Sequence, residues 1–293
     1  EKRQKDKDFG KMVKEFKNYF LTLQFKGNVY LTMLFNVTTV FILFTLCRIG
    51  FYLFNASYFK LVTPSSFFTM LLGGLKFDTS AIFYTNLLYL MAMLVPFVFR
   101  YSNIYQTILK YVFIVTNSIA IGANCSDFIY FQFTLRRTTA TVFREFENET
   151  NVLPLIGKFL IDYWYIFVIW VFLTTILIFI YKKPSRNWRL KGLPSHIVYF
   201  LNGAIILVLS AGLIIGGLRG GFRHSTRPIT LSNAGEYVNE PLETAIVLNT
   251  PFAIFRTLGI KPLQKVDFFQ SEAELNKYYS PVHNSITTNQ IKP

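Results

Sequence analysis

The sequence predicts an all-α polytopic membrane protein, with five transmembrane helices plus short interfacial and juxtamembrane helices. Two observations predict this fold class. Hydrophobic residues make up 52% of the 293 residues and charged residues only 16%, whereas soluble proteins average about 25% charged residues. The apolar residues also gather in five runs, each close to the roughly 20 residues that a helix needs to cross about 30 Å of hydrocarbon.

The five runs follow one another along the chain, and few charges interrupt them. The first contains Arg48, the second opens with Asp78, and the third contains Asp127. In hydrocarbon a backbone must satisfy its own hydrogen bonds, so each run is expected to be helical. A soluble protein with five such buried helices would need a large polar shell, which the composition excludes. The predicted spans cover residues 29–54, 78–99, 111–133, 163–181 and 194–218.

The distribution of Lys and Arg predicts the orientation. One predicted face of the membrane comprises residues 1–28 and the turns after the second and fourth spans, and it carries fifteen Lys and Arg. The loops on the opposite face carry six. Because basic loops favour the cytoplasm, the N-terminus is expected there. Residues 9–23 have helical periodicity, which fits either an interfacial helix on the inner leaflet or a cytoplasmic extension of the first span. Residues 1–28 are therefore a cytoplasmic amphipathic segment.

Five crossings place residues 219–293 outside the cell, as a juxtamembrane linker. An apolar patch lies at 242–248, and Thr250-Pro251 followed by Gly259 has the start and stop signals of a helix. We expect these two short helices to rest on the outer membrane surface. Ser271 and Glu274 have the spacing of a capping box and predict a third short helix that ends near Tyr279.

The sequence contains no pattern typical of a nucleotide-binding loop, a zinc protease, a redox pair or a serine hydrolase. The three histidines have no second ligand at a helical spacing, so no metal site is predicted in this chain. Cys47 and Cys125 both fall inside predicted spans. They are interpreted as small packing residues, and a disulfide between them remains an alternative without support.

Several charged residues converge on one level of the predicted bundle, near its outer face. A rise of about 1.5 Å per residue brings them to that level. Charged residues in a membrane usually pair or line a polar cavity, so two interpretations stand. Either Arg48 pairs with Asp78 or Asp127 and holds the bundle, or the arginines bind phosphate headgroups. The net charge of +14 on an apolar chain favours anionic lipids over nucleic acid. The Gly220-Gly221 pair would offer backbone N–H groups to an anion.

Three motifs stand out in the same region. They are Phe77-Asp78-Thr79-Ser80; Asn124-Cys125-Ser126-Asp127-Phe128-Ile129-Tyr130 with Arg136-Arg137-Thr138-Thr139; and Leu218-Arg219-Gly220-Gly221-Phe222-Arg223 with Arg227-Pro228-Ile229 and Asn233-Ala234. These motifs resemble those of lipoteichoic acid synthase-like proteins, which are membrane-anchored members of the alkaline phosphatase/sulfatase superfamily. The charges and motifs together predict lipid-headgroup contacts at Arg48, Asp78, Asn124, Asp127, Arg136, Arg137, Arg219, Gly220, Gly221, Arg223 and Arg227.

The resemblance implies a function that residues 1–293 do not contain by themselves. It implies a bacterial cytoplasmic membrane protein whose outer linker leads to an α/β catalytic domain with a Thr or Ser nucleophile and a divalent metal (Mn, Mg or Zn). Such a domain moves phosphoglycerol or phosphoethanolamine from a phospholipid, and this chain would hold the lipid donor at the outer face. The expected partners are membrane phospholipids and that catalytic domain, and no catalytic residue is expected in this chain.

Two other functions remain open. A non-enzymatic membrane subunit or transporter component would favour polar residues at the midplane, broken helices and an internal repeat. A pure anchor would need only one span, so five spans favour a larger role.

Overall fold

The computed structural model describes residues 28–143, 157–159, 161–184, 192–222, 227–259, 268–269 and 272–279. Within these ranges the regular structure is helical, without a β-strand. The predicted amphipathic segment at 9–23 and the predicted headgroup residue Arg223 lie outside them.

The described residues form nine α-helices, which range from 4 to 32 residues in length. In chain order they are α1 Val29–Phe54, α2 Pro64–Thr85, α3 Leu87–Leu94, α4 Asn103–Thr134, α5 Trp164–Ile180, α6 Gly192–Arg219, α7 Thr244–Val247, α8 Thr250–Thr257 and α9 Glu272–Tyr278. Helices α1 and α4 and residues Ser195–Arg219 of α6 are long and apolar enough to cross a membrane. On this ground the chain is a helical membrane protein. Helix α5 is apolar but shorter, with 17 residues.

Polar caps fix where these helices begin. The Asn28 side chain accepts hydrogen bonds from the backbone N–H groups of the first turn of α1, and Ser102 does the same for α4. Such caps satisfy donors that the first turn of a helix leaves without a partner. The capping-box spacing at Ser271 predicted the third short helix, and α9 spans Glu272–Tyr278.

The second predicted span differs most from the structure. The helix begins at Pro64, not at Asp78, because Thr63 and Ser66 form a capping box and Pro64 occupies the first turn. A search for charge-free runs misses this start, since Lys76 interrupts the run. The helix also breaks at Asn86, and α3 continues from Leu87 to Leu94.

A buried pair of side-chain amides lies at the break. The amides of Asn86 and Asn117 of α4 exchange two hydrogen bonds, of 2.9 and 2.7 Å, and both residues are buried. Inside a membrane, such interhelical amide pairs hold helices together.

The helices pack as a bundle in which α1 lies against α2, α4 and α5, while α6 lies against α2 and α3. Helices α1 and α4 end, and α2 begins, at the same end of the bundle, which we call the junction end. Arg48 near the end of α1 pairs with Asp78 of α2, and Ser80 of α2 donates to the carbonyl of Leu218 at the end of α6.

The sequence predicted that two short helices, here α7 and α8, rest on the outer membrane surface. In the structure both pack among the bundle helices at the junction end. Helix α7 contacts α1 and α2, and α8 contacts α2 and α4. The Phe252 ring lies 5.1 Å from the Phe77 ring, and the Phe255 ring stacks on Tyr84 at 5.4 Å. At about 1.5 Å per residue, Tyr84 lies roughly 30 Å along α2 from Pro64. Nη2 of Arg256 in α8 donates to the Leu218 carbonyl at 2.9 Å, so α8 lies at the level where α6 ends.

Candidate functional site

Two buried ion pairs lie where the inserted segment meets the bundle. Both terminal nitrogens of Arg48 bond the two carboxylate oxygens of Asp78, each at 2.6 Å. Nη1 of Arg137, which follows α4, lies 3.6 Å from Oδ2 of Asp127. Each of these four side chains is at most 3% exposed. Charges at this depth are stable only when paired and hydrogen bonded.

The two arginines also bind the backbone of α7. Arg48 donates from Nε to the carbonyl of Ile246 at 2.9 Å and from Nη2 to that of Val247 at 3.1 Å. Arg137 donates from Nε to the carbonyl of Ala245 at 2.8 Å. The last carbonyls of a helix have no partner within it and carry partial negative charge. The guanidinium groups therefore satisfy the C-terminal end of α7.

The two aspartates bind the residues at which α8 begins. Asp78 accepts from Nδ2 of Asn249 at 2.8 Å, and Asp127 accepts from the hydroxyl of Thr250 at 2.6 Å. Asn124 accepts from the Thr250 backbone N–H at 3.0 Å. The start of a helix carries partial positive charge, so carboxylates are stabilising there. We call Arg48, Asp78, Asn124, Asp127, Arg137 and the backbone of 245–250 the polar junction.

The polar junction explains how an interrupted backbone exists inside an apolar bundle. Residues Leu248 and Asn249 separate α7 from α8, and both are buried. Irregular backbone at membrane depth is tolerated where protein groups satisfy it. Arginines at the last carbonyls of α7 and acids at the start of α8 meet this requirement with opposite charges.

Local packing fixes the positions of both guanidinium groups. A Cβ atom at Gly74 would overlap the Arg48 guanidinium, so only glycine lets that group cross α2. The Arg137 guanidinium lies over the Phe51 ring, 3.5 Å from its centre, in a cation–π contact. Burial lowers the pKa of Arg137 to about 10, while the Asp127 carboxylate opposes this shift. Arg137 is therefore still charged at neutral pH.

The structure assigns five of the predicted headgroup residues to the polar junction, all of them buried: Arg48, Asp78, Asn124, Asp127 and Arg137. Their polar atoms meet the chain's own backbone and one another, as the pairing interpretation of the sequence has it. Residues 244–257 fold back over these side chains, and their contact with a headgroup stays a prediction. Sequence reasoning missed Asn249 as a site residue, although Asn before Thr-Pro is a helix-capping signal.

The structure also corrects the cap of α8. Asn249 rather than Thr250 caps the helix, because its side chain accepts from the Phe252 backbone N–H at 2.8 Å. The Thr250 hydroxyl is used by Asp127 instead.

Three further predicted residues, Arg219, Gly220 and Arg227, lie together at the end of α6. They line a cavity of about 430 Å³ together with Lys76 of α2. We call this cavity the basic cleft; its remaining lining residues are Pro228, Ile229, Thr230 and Asn233. Lys76 was not predicted, because it lies far from the arginines in sequence and only the packing of α2 against α6 brings it there.

The glycine pair after α6 has a different role from the predicted one. The Gly220 N–H donates to the Gly217 carbonyl at 3.2 Å, and the Gly221 N–H donates to the Gly216 carbonyl at 3.0 Å. With Gly220 at φ +76°, this is the Schellman motif that ends many helices. Both N–H groups are therefore bonded to carbonyls of the helix. An anion in the basic cleft would contact side chains instead of these backbone N–H groups.

The remaining residues singled out by the sequence are Arg136 and the two cysteines. Arg136 is exposed beyond the end of α4. Cys47 and Cys125 are buried free thiols in contact with each other. Among the residues the structure describes, no three His, Cys, Asp or Glu side chains converge as metal ligands would.

Comparison with known proteins adds no assignment: no family model, no curated protein and no solved structure matches the chain.

Proposed function

We propose that the chain is the membrane region of a lipoteichoic acid synthase-like transferase of the bacterial cytoplasmic membrane. In this proposal the bundle holds a phospholipid donor at the outer face. A catalytic domain, encoded beyond residue 293 and carrying a divalent metal (Mn, Mg or Zn), removes its phosphoglycerol or phosphoethanolamine group.

The observation that carries the proposal is the polar junction. A tether alone requires one span and a flexible connection, whereas here the segment 244–257 is locked into three helices by two buried ion pairs. A fixed connection defines the height and direction at which the following chain leaves the membrane. Positioning of this kind contributes to a reaction by proximity, because both reactants are held at one surface.

The topology in this proposal has five crossings, with α2 and α3 together forming the second and α5 the fourth. The basic loops place the N-terminus in the cytoplasm, so the junction end faces the outside. The end of α6, with its arginines, then lies at the outer boundary of the hydrocarbon. The expected partners are membrane phospholipids rather than nucleic acid.

The test uses the complete gene product in lipid nanodiscs that contain phosphatidylglycerol or phosphatidylethanolamine, with a divalent metal present. The proposal predicts release or transfer of the phospho-headgroup and accumulation of diacylglycerol. In Asp78→Asn protein that circular dichroism and size-exclusion chromatography show to be folded, this activity is expected to fall by at least about ten-fold, while cleavage of a water-soluble phosphodiester by the same protein stays unchanged. Asp162→Asn, at an exposed carboxylate of the described chain, is the matched control.

Two outcomes would contradict the proposal. If the wild-type protein forms no diacylglycerol from either lipid, the transferase assignment is wrong. If Asp78→Asn lowers the cleavage of lipid and soluble substrates equally, the bundle does not position a lipid donor.

A second candidate function is a transporter component, and the break between α2 and α3 favours it. Discontinuous helices whose polar groups meet inside the bundle are typical of transporters, and Asn86 and Asn117 form such a pair. Saturable uptake of an identified solute into liposomes, abolished by Asn117→Leu, would establish this function instead.

A further inference from the structure

The basic cleft has the charge of an anion-binding site. Its three cations come from three different stretches of chain, namely α2, the end of α6 and the loop before Leu231. None of its described lining residues is acidic. The nearby Glu236 places Oε2 3.8 Å from Nζ of Lys76, and this carboxylate also accepts from Asn233. Among the described residues at the cleft, three cations therefore stand against one acid.

The construction of the cleft keeps these cations together. The Ile229 N–H donates to the Arg219 carbonyl at 3.0 Å, which ties the loop to the end of α6. Ile229 is 3% exposed, and a Cβ atom at Gly220 would lie 2.9 Å from its Cβ. Arg227 and Arg219 are therefore held on the two sides of one close backbone contact.

The position of the cleft indicates what kind of anion it meets. Arg219 is the last residue of a helix that is apolar and long enough to cross a membrane, so the cleft lies where hydrocarbon gives way to water. Exposed apolar side chains lie close to its cations along the chain, with Leu72 at 55% and Leu75 at 40% exposed before Lys76, and Phe222 at 73% exposed after Arg219. Cations bordered by an apolar surface at this level match the phosphate and the chains of a phospholipid.

We infer that the basic cleft binds the phosphate group of an anionic phospholipid, with Lys76, Arg219 and Arg227 as its charged contacts. Arginine suits this role because its planar fork can bond two phosphate oxygens at once. That the bound lipid is the donor of the transfer reaction rests on the proposed function, whereas the binding itself does not.

The test measures binding by the purified chain in an uncharged detergent, with short-chain phosphatidylglycerol as the probe and ³¹P NMR as the readout. Arg219→Gln/Arg227→Gln is expected to weaken binding by at least about ten-fold, and Lys76→Gln should weaken it to a smaller extent. Lys60→Gln/Lys158→Gln removes the same charge at exposed positions and is expected to stay within about two-fold of the wild type. Circular dichroism and size-exclusion chromatography verify that every variant is folded.

Two further probes distinguish the sources of phosphate. Short-chain phosphatidylcholine carries the phosphate without net negative charge, and inorganic phosphate carries it without chains; both should bind more weakly than phosphatidylglycerol. Inorganic phosphate that binds as tightly as phosphatidylglycerol would overturn the lipid assignment. Equal losses in the cleft and control variants would show that net charge alone attracts the lipid, which overturns the site.

Failure of the cleft and failure of the proposed function are separable. Specific lipid binding by a complete gene product that forms no diacylglycerol would leave the cleft in place and refute the transferase. Transfer activity that persists at the wild-type KM in Arg219→Gln/Arg227→Gln would support the transferase and refute the cleft as the site of its donor lipid.

Discussion

Replacement of Asp78 by Asn is expected to destabilise the folded chain by about 3–5 kcal/mol, because it leaves a buried guanidinium without its counter-charge. Asp78 is fully buried and accepts two short bonds from Arg48 and one from Asn249. The Asn amide can accept only part of this set and presents a donor toward the guanidinium. At 1.4 kcal/mol per factor of ten, the unfolding equilibrium shifts by roughly a hundred- to several-thousand-fold.

Equilibrium unfolding in detergent micelles, followed by circular dichroism, measures this change. Asp162→Asn makes the same substitution at an exposed carboxylate and should change the free energy of unfolding by less than about 1 kcal/mol. An Asp78→Asn variant as stable as Asp162→Asn would refute the argument.

A double variant separates the ion pair from the backbone contacts. Replacing a buried ion pair by apolar side chains is often neutral, so Arg48→Leu/Asp78→Leu would recover full stability if the pair had no other role. Here the carbonyls of Ile246 and Val247 also lose their donors, and each such loss costs about 1–3 kcal/mol. The double variant is therefore expected to remain less stable than the wild type, and full recovery would contradict this role of Arg48.

Two further predictions concern helix contacts. Gly74→Ala places a Cβ atom against the Arg48 guanidinium and should destabilise the chain by about 1–3 kcal/mol. Gly212 lies in a helix, and a Cβ atom there would have nothing within 4 Å. Gly212→Ala should therefore stabilise the chain by about 0.5–1 kcal/mol. If Gly74→Ala proved the more stable of the two variants in unfolding experiments, the close approach of Arg48 to Gly74 would be contradicted. Asn117→Leu removes both amide bonds to Asn86 and should cost about 1 kcal/mol at roughly 0.6 kcal/mol per bond. A double-mutant cycle with Asn86→Leu measures this coupling, and simple additivity would show that the pair is not coupled.

The sequence alone predicts the long apolar helices well, because length and hydropathy are local properties. Helices α1, α4 and α6 lie where the apolar runs at 29–54, 111–133 and 194–218 place them. The start of α2 was missed because Lys76 interrupts its apolar run. The capping signal at Thr63-Pro64 marks that start in the sequence, and it is independent of hydropathy.

The candidate site was less predictable, because depth along a helix does not determine the direction in which a side chain points. The sequence placed Arg48, Asp78 and Asp127 at one level and left the partner of Arg48 open. Packing of α1 against α2 selects Asp78, and Asp127 pairs with Arg137 instead. The insertion of residues 244–257 depends on contacts far apart in the chain, and the apolar patch at 242–248 fits a membrane surface as well as a bundle interior.

The insertion of α8 into the bundle is the central claim, and a photo-cross-link from position 255 tests it most directly. The half-buried Phe255 ring stacks on Tyr84, near the end of α2 that is farthest from Pro64. Benzoylphenylalanine at position 255 is expected to cross-link the peptide that contains Tyr84, and mass spectrometry identifies that peptide. The same label at position 133, where Phe133 of α4 is exposed, measures unspecific capture. Cross-links to lipid or detergent alone would place α8 on the membrane surface and contradict the account.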